Sequence, residues 1–262
     1  MPNRSETAGE FTGMTSTMKC ILASRIHYGV SVAPEFTLVA RTCMMAALRS
    51  MPAELPIIAP RRPEEIALTF DEGPDAGITP RIVDMLTIRG IRATFFLFGQ
   101  AAHEEPYLTR YIVDCGHVVG SHTWTPSPTR FHSFHHLREN LYRSRNTLEQ
   151  ITGKSVRYFR PPSGSRRPAV ITAARAENMI SVLWNVKAPD WPTGSPERAY
   201  RQLYARIDAT RANFRAANVA LQHGGLLAQR AAQDPSIESL RRVVERYRVV
   251  RRFVTLDRWC EQ

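Results

Sequence analysis

Adjacent carboxylates at Asp71 and Glu72 are the first residues in the chain whose types and spacing suggest chemistry. They sit in Thr69-Phe70-Asp71-Glu72-Gly73-Pro74, where an apolar run breaks into a tight turn. Two like charges side by side repel, and they coexist most readily around a cation or a proton. A surface turn can also carry such a dipeptide idly, so the pair gains meaning only from its company. Four further groups follow in order: Gly120-Ser121-His122-Thr123-Trp124-Thr125, Phe159-Arg160-Pro161-Pro162-Ser163-Gly164, Pro189-Asp190-Trp191 and Leu221-Gln222-His223-Gly224. Each comes just after a short β-rich run. A lone histidine is usually structural and a lone Arg-Pro-Pro is usually a loop. Five such groups on successive strand ends point instead to one polar site assembled on a common rim.

The rim needs strands to carry it. From Glu65 onward, β-rich runs at Ile66–Phe70, Ala93–Phe98, Val118–Gly120, Arg157–Arg160, Ser181–Trp184, Val219–Gln222 and Arg251–Thr255 alternate with helix-like stretches. That alternation predicts a parallel sheet, either closed as a barrel or open and doubly wound. Both place their sites at the carboxyl ends of the strands. Thr79-Pro80 reads as a hydroxyl cap before a proline at the first helical position, and Ser195-Pro196 followed by Glu197 repeats the device. Ile82, Met85 and Leu86 give the first helix an apolar face, and Arg89-Gly90 gives it a stop. Residues 1–63 lack sustained periodicity and end in a proline-punctuated stretch through Pro60 and Pro63. They read as an extension and linker, leaving 64–262 as the patterned domain.

Composition narrows the function classes. With 262 residues and 43% hydrophobic content, the chain can bury one sizeable core. Its net charge of +11 is almost entirely arginine, because lysine occurs only at Lys19, Lys154 and Lys187. The arginines scatter through helix-like segments, which fits solvated helix faces better than a basic patch for an acidic partner. No nucleic-acid motif or aromatic platform accompanies them, so no specific nucleic-acid partner is expected. Cys20, Cys43, Cys115 and Cys260 show no CxxC spacing, which argues against a disulfide framework or a thiolate zinc site. Val30–Leu48 is the most apolar early stretch, but Pro34, Glu35 and Arg41 break it, so no transmembrane segment is expected. Lys19 followed by Cys20-Ile21-Leu22-Ala23 makes only a very short leader-like region, which slightly favours a cytoplasmic location over export.

The order of the five polar groups resembles the NodB-homology polysaccharide deacetylases, carbohydrate esterase family 4, over about Glu65 to Trp259. The resemblance implies a deformed (β/α) barrel of about seven parallel strands. Thr69 to Pro74 is similar to the family pattern Thr-Phe-Asp-Asp-Gly-Pro, with Asp71 at the catalytic base and Glu72 where the family has a metal-binding Asp. His122 falls on the first histidine of His-Ser/Thr-x-x-His, and Pro126 occupies the place of the second. Arg160, Pro162, Ser163 and Gly164 match Arg-x-Pro-aromatic-Gly, with Ser163 replacing the aromatic residue. Asp190-Trp191 resembles the fourth motif and Leu221-x-His223 the fifth. By resemblance Arg160 orients the base, Asp190 tunes His223, and Trp191 and Leu221 wall the pocket for the acetyl methyl.

Hydrolysis of an acetamide needs an activated water, a sink for the oxyanion and a proton for the departing amine. The resemblance gives the first to Asp71 and the last to His223, each such transfer being worth roughly 10²- to 10⁴-fold. The backbone N–H after Pro162 can serve the oxyanion, since that contact needs no side chain. A divalent metal, zinc or else cobalt or manganese, would lower the pKa of a bound water. Its matched ligands are only Glu72 and His122, one short of the usual three, so it is expected to bind weakly or not at all. His132, His135 and His136 could reach back to complete the set, or form a solvated loop cluster. His117 is expected on the opposite strand face. Two readings follow: a metal-dependent deacetylase acting on an N-acetylglucosamine oligomer or polymer of chitin-oligosaccharide or peptidoglycan type, or a catalytically weak or inactive relative that binds glycan.

Overall fold

The computed structural model describes residues 59–126, 133–188, 196–222 and 235–260. Most of the expected extension, Cys20 and Cys43, His132, Asp190, Trp191 and His223 lie outside the described residues.

The sheet is organised on β1 (Glu65–Asp71), which is buried along its whole length. One edge of β1 pairs with β7 (Ala217–Gln222) from Ile66 to Asp71. The other is shared by β8 (Arg252–Val254), against Glu65–Ala67, and β2 (Thr94–Leu97), against Thr69–Asp71. Outward from β2 lie β3 (Val118–Ser121), β4 (Tyr158–Phe159) and β5 (Ile180–Ser181), and outward from β7 lies β6 (Val186–Lys187). Every pairing is parallel. The two outermost strands, β5 and β6, are consecutive in the chain, and the sheet curls into the expected deformed (β/α) barrel. All seven expected strands are present. The additional one, β6, has only two residues, too few for alternation to register in a sequence.

Alternation along β1 separates two cores. Ile66, Leu68 and Phe70 join the helix-side cluster with Ile82, Leu86, Leu240 and Val244. Ala67 joins Phe96, Tyr158, Val182, Val254 and Leu256 inside the curl. Thr69 and Asp71 therefore face inward, at the carboxyl end of the central strand. The surrounding helices are α1 (Thr79–Thr87), α2 (Gly99–Glu104), α3 (Pro106–Asp114), α4 (Phe134–Thr152), α5 (Pro168–Ala176), α6 (Pro196–Ala212), α7 (Pro235–Tyr247) and α8 (Asp257–Cys260). Among the described residues no helix is long and apolar enough to cross a membrane.

The start of α1 corrects one expectation. Thr79 lies inside the helix rather than capping it, and its hydroxyl accepts from the Asp75 N–H at 2.9 Å. The N-cap is Ile78, with no side-chain cap, and just ahead of the helix the Asp75 Oδ1 accepts from the N–H groups of Gly77 and Ile78 at 2.9 and 3.1 Å. The tight turn beyond Asp71 brings Asp75 up to the start of the helix, where its backbone carbonyl accepts from the Thr79 N–H at 2.9 Å. The expected stop holds: Gly90 has φ +66° and Ile91 N–H bonds back to Leu86 O at 3.0 Å.

Much of the arginine content is absorbed by ion pairs of the fold. Glu65, fully buried at the amino end of β1, accepts from Arg252 and Arg258 at 2.8 Å and from the Trp259 indole at 2.7 Å. This pins α8 under the barrel, at the end opposite the polar rim. On α7, Glu238 bridges Arg241 and Arg242, and Glu245 joins Arg89 to Arg248.

His117 faces away from the rim, as its five-residue offset from His122 suggests. It is buried, its Nδ1 accepts from the Ala93 N–H at 3.1 Å, and its Nε2 lies 3.4 Å from the Thr87 hydroxyl. Burial, with a contribution from Arg92, pushes its pKa down to about 4. The unfolded imidazole takes a proton below its ordinary value of about 6.5 while the folded one stays neutral, so stability is lost as pH falls through that window. We expect the wild type to lose about 3 kcal/mol more than His117→Gln between pH 7 and pH 4. Urea denaturation of both proteins at the two pH values checks this, and equal losses would remove His117 from the acid response.

Candidate active site

The strand ends enclose a cavity of about 320 Å³. Asp71 and Glu72 reach it from β1, His122 and Pro126 from the loop after β3, Pro162 and Ser163 from the turn after β4, Trp184 and Lys187 from β6 and the loop before it, and Leu221 from β7. Four of the five segments read as a rim in the sequence contribute to it through described residues.

Arg160 is the most heavily constrained side chain of the site. It is fully buried, and its Nη1 donates to Asp71 Oδ1 at 2.7 Å and to Thr69 Oγ1 at 2.6 Å. Its Nη2 donates to Leu183 O and Asn218 Oδ1, both at 3.2 Å. Asn218 is itself held, donating to Leu183 O at 2.7 Å, and Thr69 donates to Val219 O at 2.8 Å. The guanidinium also lies 4.3 Å from the Phe96 ring centroid and 5.7 Å from that of Trp184. One planar cation thus ties β1, β4 and β7 together and presents the Asp71 carboxylate to the cavity.

His122 follows β3 directly. Its Nδ1 lies 2.7 Å from the Arg160 carbonyl, which can only accept, so the proton sits on Nδ1 and the Nε2 lone pair is left outward. Burial lowers the His122 pKa against the charge of Asp71, with Arg160 adding to the lowering, and the imidazole is therefore neutral. The loop beyond it is stapled in place. Thr123, at φ +82°, presents its carbonyl to Gly99 N–H at 2.9 Å, Trp124 O accepts from Gln100 N–H at 3.0 Å, and Asn140 of α4 accepts from Trp124 N–H at 2.8 Å. Gly99 permits this: a Cβ there would lie 2.6 Å from the Trp124 ring and 2.8 Å from Ser144 Cα. Pro126 is thereby carried to the cavity wall by a braced loop.

A neutral histidine with an outward Nε2, beside a carboxylate, is half of a metal site. Glu72 lines the same cavity, and its φ of +75° holds it in a turn that few residues with a side chain adopt. Among the described residues the set stops there. Among the described residues no three His, Cys, Asp or Glu side chains converge. His135 and His136, exposed in the first turn of α4, do not supply a third donor to Glu72 and His122. The described residues therefore do not complete the three-donor set of a catalytic zinc site.

Other candidate residues are placed as follows. Ser163 sits in the short 3₁₀ turn Pro162–Gly164 with φ +57°, exposed at the cavity mouth. Leu221 pairs with Phe70 and belongs to the helix-side core while still touching the cavity. Asp190, Trp191 and His223 lie outside the described residues. Trp184 and Asn218 contribute to the site although they carry no motif signal of their own, and Thr69 heads the first motif without a role having been assigned to it. Asn218 had a physical one: a polar residue at an inward position of the apolar run Ala217-Asn218-Val219-Ala220-Leu221 needs a buried partner.

Comparison with known proteins agrees with this geometry. A family model described as polysaccharide deacetylase matches residues 59–181. A peptidoglycan-N-acetylglucosamine deacetylase of Bacillus cereus is 30% identical over 201 residues, covering 75% of this chain and 68% of that protein. A chitooligosaccharide deacetylase of Sinorhizobium fredii is 30% identical over 186 residues, covering 68% and 83% respectively. Among solved structures, a mutant of a family 4 carbohydrate esterase pseudoenzyme, with restored enzymatic activity, superposes with TM-score 0.67 at 25% identity, over 78% of this chain and 70% of that one. Motifs, barrel and relatives converge: the chain belongs to the polysaccharide deacetylase family, carbohydrate esterase family 4.

Proposed function

We propose that this protein is a hydrolase that removes N-acetyl groups from an N-acetylglucosamine-containing oligo- or polysaccharide. The observation that carries the reading is the buried Arg160–Asp71 pair at the floor of an accessible cavity. A binder has no need of a carboxylate fixed by four-point anchoring of its partner, whereas a general base must be held in one geometry. In this reading Asp71 takes the proton of the attacking water, and His223, backed by Asp190, returns one to the departing nitrogen. The N–H after Pro162 stabilises the oxyanion, and Trp191 with Leu221 confines the acetyl methyl. Acetate release from a chitin oligomer tests it.

The shortage of metal donors among the described residues favours a second reading, in which the chain binds glycan with little or no turnover. Its discriminating measurement is metal affinity. A divalent ion, zinc or else cobalt or manganese, would have Glu72 and His122 as its protein donors and bind weakly. Because Pro126 stands on the cavity wall at the end of a braced loop, we expect Pro126→His to raise zinc affinity by at least about 10-fold, since even residues that only orient ligands change affinity by that much. Adding Glu72→Asp should raise it further. Titration calorimetry decides: tight zinc binding by the wild type with no gain from Pro126→His would mean that a residue outside Glu72 and His122, with His132 the first to mutate, completes the shell.

A further inference from the structure

The pole of the barrel opposite the cavity carries a second surface, built by turns that lead from helices back into strands. Ile88 stands 81% exposed in the turn from α1 to β2, Phe214 73% in the turn from α6 to β7, and Val249 and Val250 79% and 56% in the turn from α7 to β8. Single exposed apolar residues are ordinary on a protein surface, but these four share one pole.

The three turns form one patch. β7 and β8 flank β1, with Ala217 against Ile66 and Arg252 against Glu65, so the turns leading into them stand level and roughly 10 Å apart. Arg251 ties the two together, its guanidinium donating to Ile207 O of α6 at 3.2 Å. Arg89 and Arg248 meet on Glu245, at 2.9 and 2.8 Å, which holds the α1 turn against the α7 turn.

The patch is also cationic. Ile88-Arg89-Gly90-Ile91-Arg92, Arg211-Ala212-Asn213-Phe214-Arg215 and Arg248-Val249-Val250-Arg251-Arg252 hold seven arginines and no carboxylate. Glu245 serves two of these arginines at once, while Arg215 and Arg251 donate to the carbonyls of Ala59 and Glu65, which do not cancel their charge. Arginines spread along the sequence are thus gathered in space by the fold. Arginine at the carboxyl end of a helix is common because it complements the dipole, but that explains none of the apolar tips.

Charge and shape together choose the occupant. A second copy of the chain would set the same positive excess against itself. A nucleic acid offers phosphates, but its backbone gives aliphatic tips nothing to bury against. The headgroup boundary of an anionic bilayer offers both, phosphates at the level of the guanidinium groups and acyl carbon just beneath. We infer that this pole docks on a membrane surface rich in anionic lipid, with Ile88, Phe214 and Val249 dipping into the interface and the cavity turned away from the bilayer. The inference goes beyond the glycan reading and does not rest on it.

The test is co-sedimentation of the full chain with vesicles of phosphatidylcholine alone and of phosphatidylcholine and phosphatidylglycerol in equal parts. We expect the mixed vesicles to bind at least about 25-fold more tightly at low salt, each arginine near the surface contributing about 5-fold. Most of that advantage should vanish in about 0.5 M salt. Arg92→Gln with Arg248→Gln should abolish most of it, and Arg92→Lys with Arg248→Lys should keep it. Phe214→Asn with Val249→Thr should weaken binding to the mixed vesicles by at least about 10-fold, because two apolar side chains no longer leave water. Asparagine suits the φ of +54° at Phe214, and both side chains are exposed, so this variant should fold. Independently, the emission added by Phe214→Trp should shift to the blue with mixed vesicles and stay put with neutral ones. Equal binding to both kinds of vesicle, or to neither, overturns the inference. Binding that depends on the arginines but survives Phe214→Asn with Val249→Thr overturns it too, since a surface for a soluble polyanion needs no apolar tips. None of these residues lines the cavity, so failure here leaves the glycan reading as it stands.

Discussion

Asp71→Asn should lower acetate release by at least about 100-fold, and His223→Ala should do the same, because each removes a proton transfer of that size. For Asp71 the reason is geometric. The carboxylate stands at the end of the central strand, in the cavity, with Oδ1 fixed 2.7 Å from Arg160. The amide that replaces it is close in shape and its oxygen can still accept from the guanidinium, which also keeps Thr69, Asn218 and Leu183 as acceptors. The fold should therefore survive while basicity is lost, and the loss should fall on kcat rather than on KM. Steady-state kinetics on a chitin oligomer, with thermal unfolding alongside, make the comparison. Wild-type kcat in a folded Asp71→Asn protein would remove this residue from the chemistry.

Which parts of this site could be read without a structure depends on how local their signal is. Asp71, Glu72, His122, Arg160 and Ser163 announce themselves because each sits in or beside a turn with unusual backbone demands directly after a strand. Glu72, Thr123 and Ser163 all adopt positive φ, and such turns leave Gly- and Pro-rich strings in the sequence. Asn218 and Trp184 leave no such trace, and Thr69, though it heads the first motif, gives no sign there of its partner. Their roles come from partners in other strands: Asn218 is 58 residues from the Arg160 it accepts from, and only strand order brings β7 beside β1 and β4 across from it. Leu221 shows a related limit. Its place in the motif suggests a pocket wall, and its register with Phe70 turns it toward the helices, so it serves the core and the cavity together. At Thr79 the expected cap failed because the turn starts the helix one residue earlier, so that Thr79 is itself helical and its hydroxyl accepts from the Asp75 N–H. The loss of a side-chain donor at Pro126, by contrast, was fully legible, because a proline ring carries no ligand atom wherever the chain puts it.

The largest stability effect should come from Arg160. Arg160→Met approximates the volume of the side chain and its contact with Phe96, but leaves the Asp71 carboxylate buried beside apolar carbon without its cation. Removing one member of a buried pair costs about 3–5 kcal/mol, mostly because the other charge stays behind uncompensated. If that is the reason here, neutralising Asp71 in the same protein should recover part of the loss. We expect the Asp71→Asn, Arg160→Met double variant to be about 1–2 kcal/mol more stable than Arg160→Met alone, within the range of coupling seen between contacting residues. Arg160→Lys should fall between the wild type and Arg160→Met, since an ammonium keeps the charge but cannot span Asp71, Thr69, Leu183 and Asn218 at once. Denaturant titrations of these proteins, with Asp71→Asn alone, close the cycle. A double variant less stable than Arg160→Met would show that the guanidinium acts mainly as a strut between β1, β4 and β7, with the charge of Asp71 incidental to the fold.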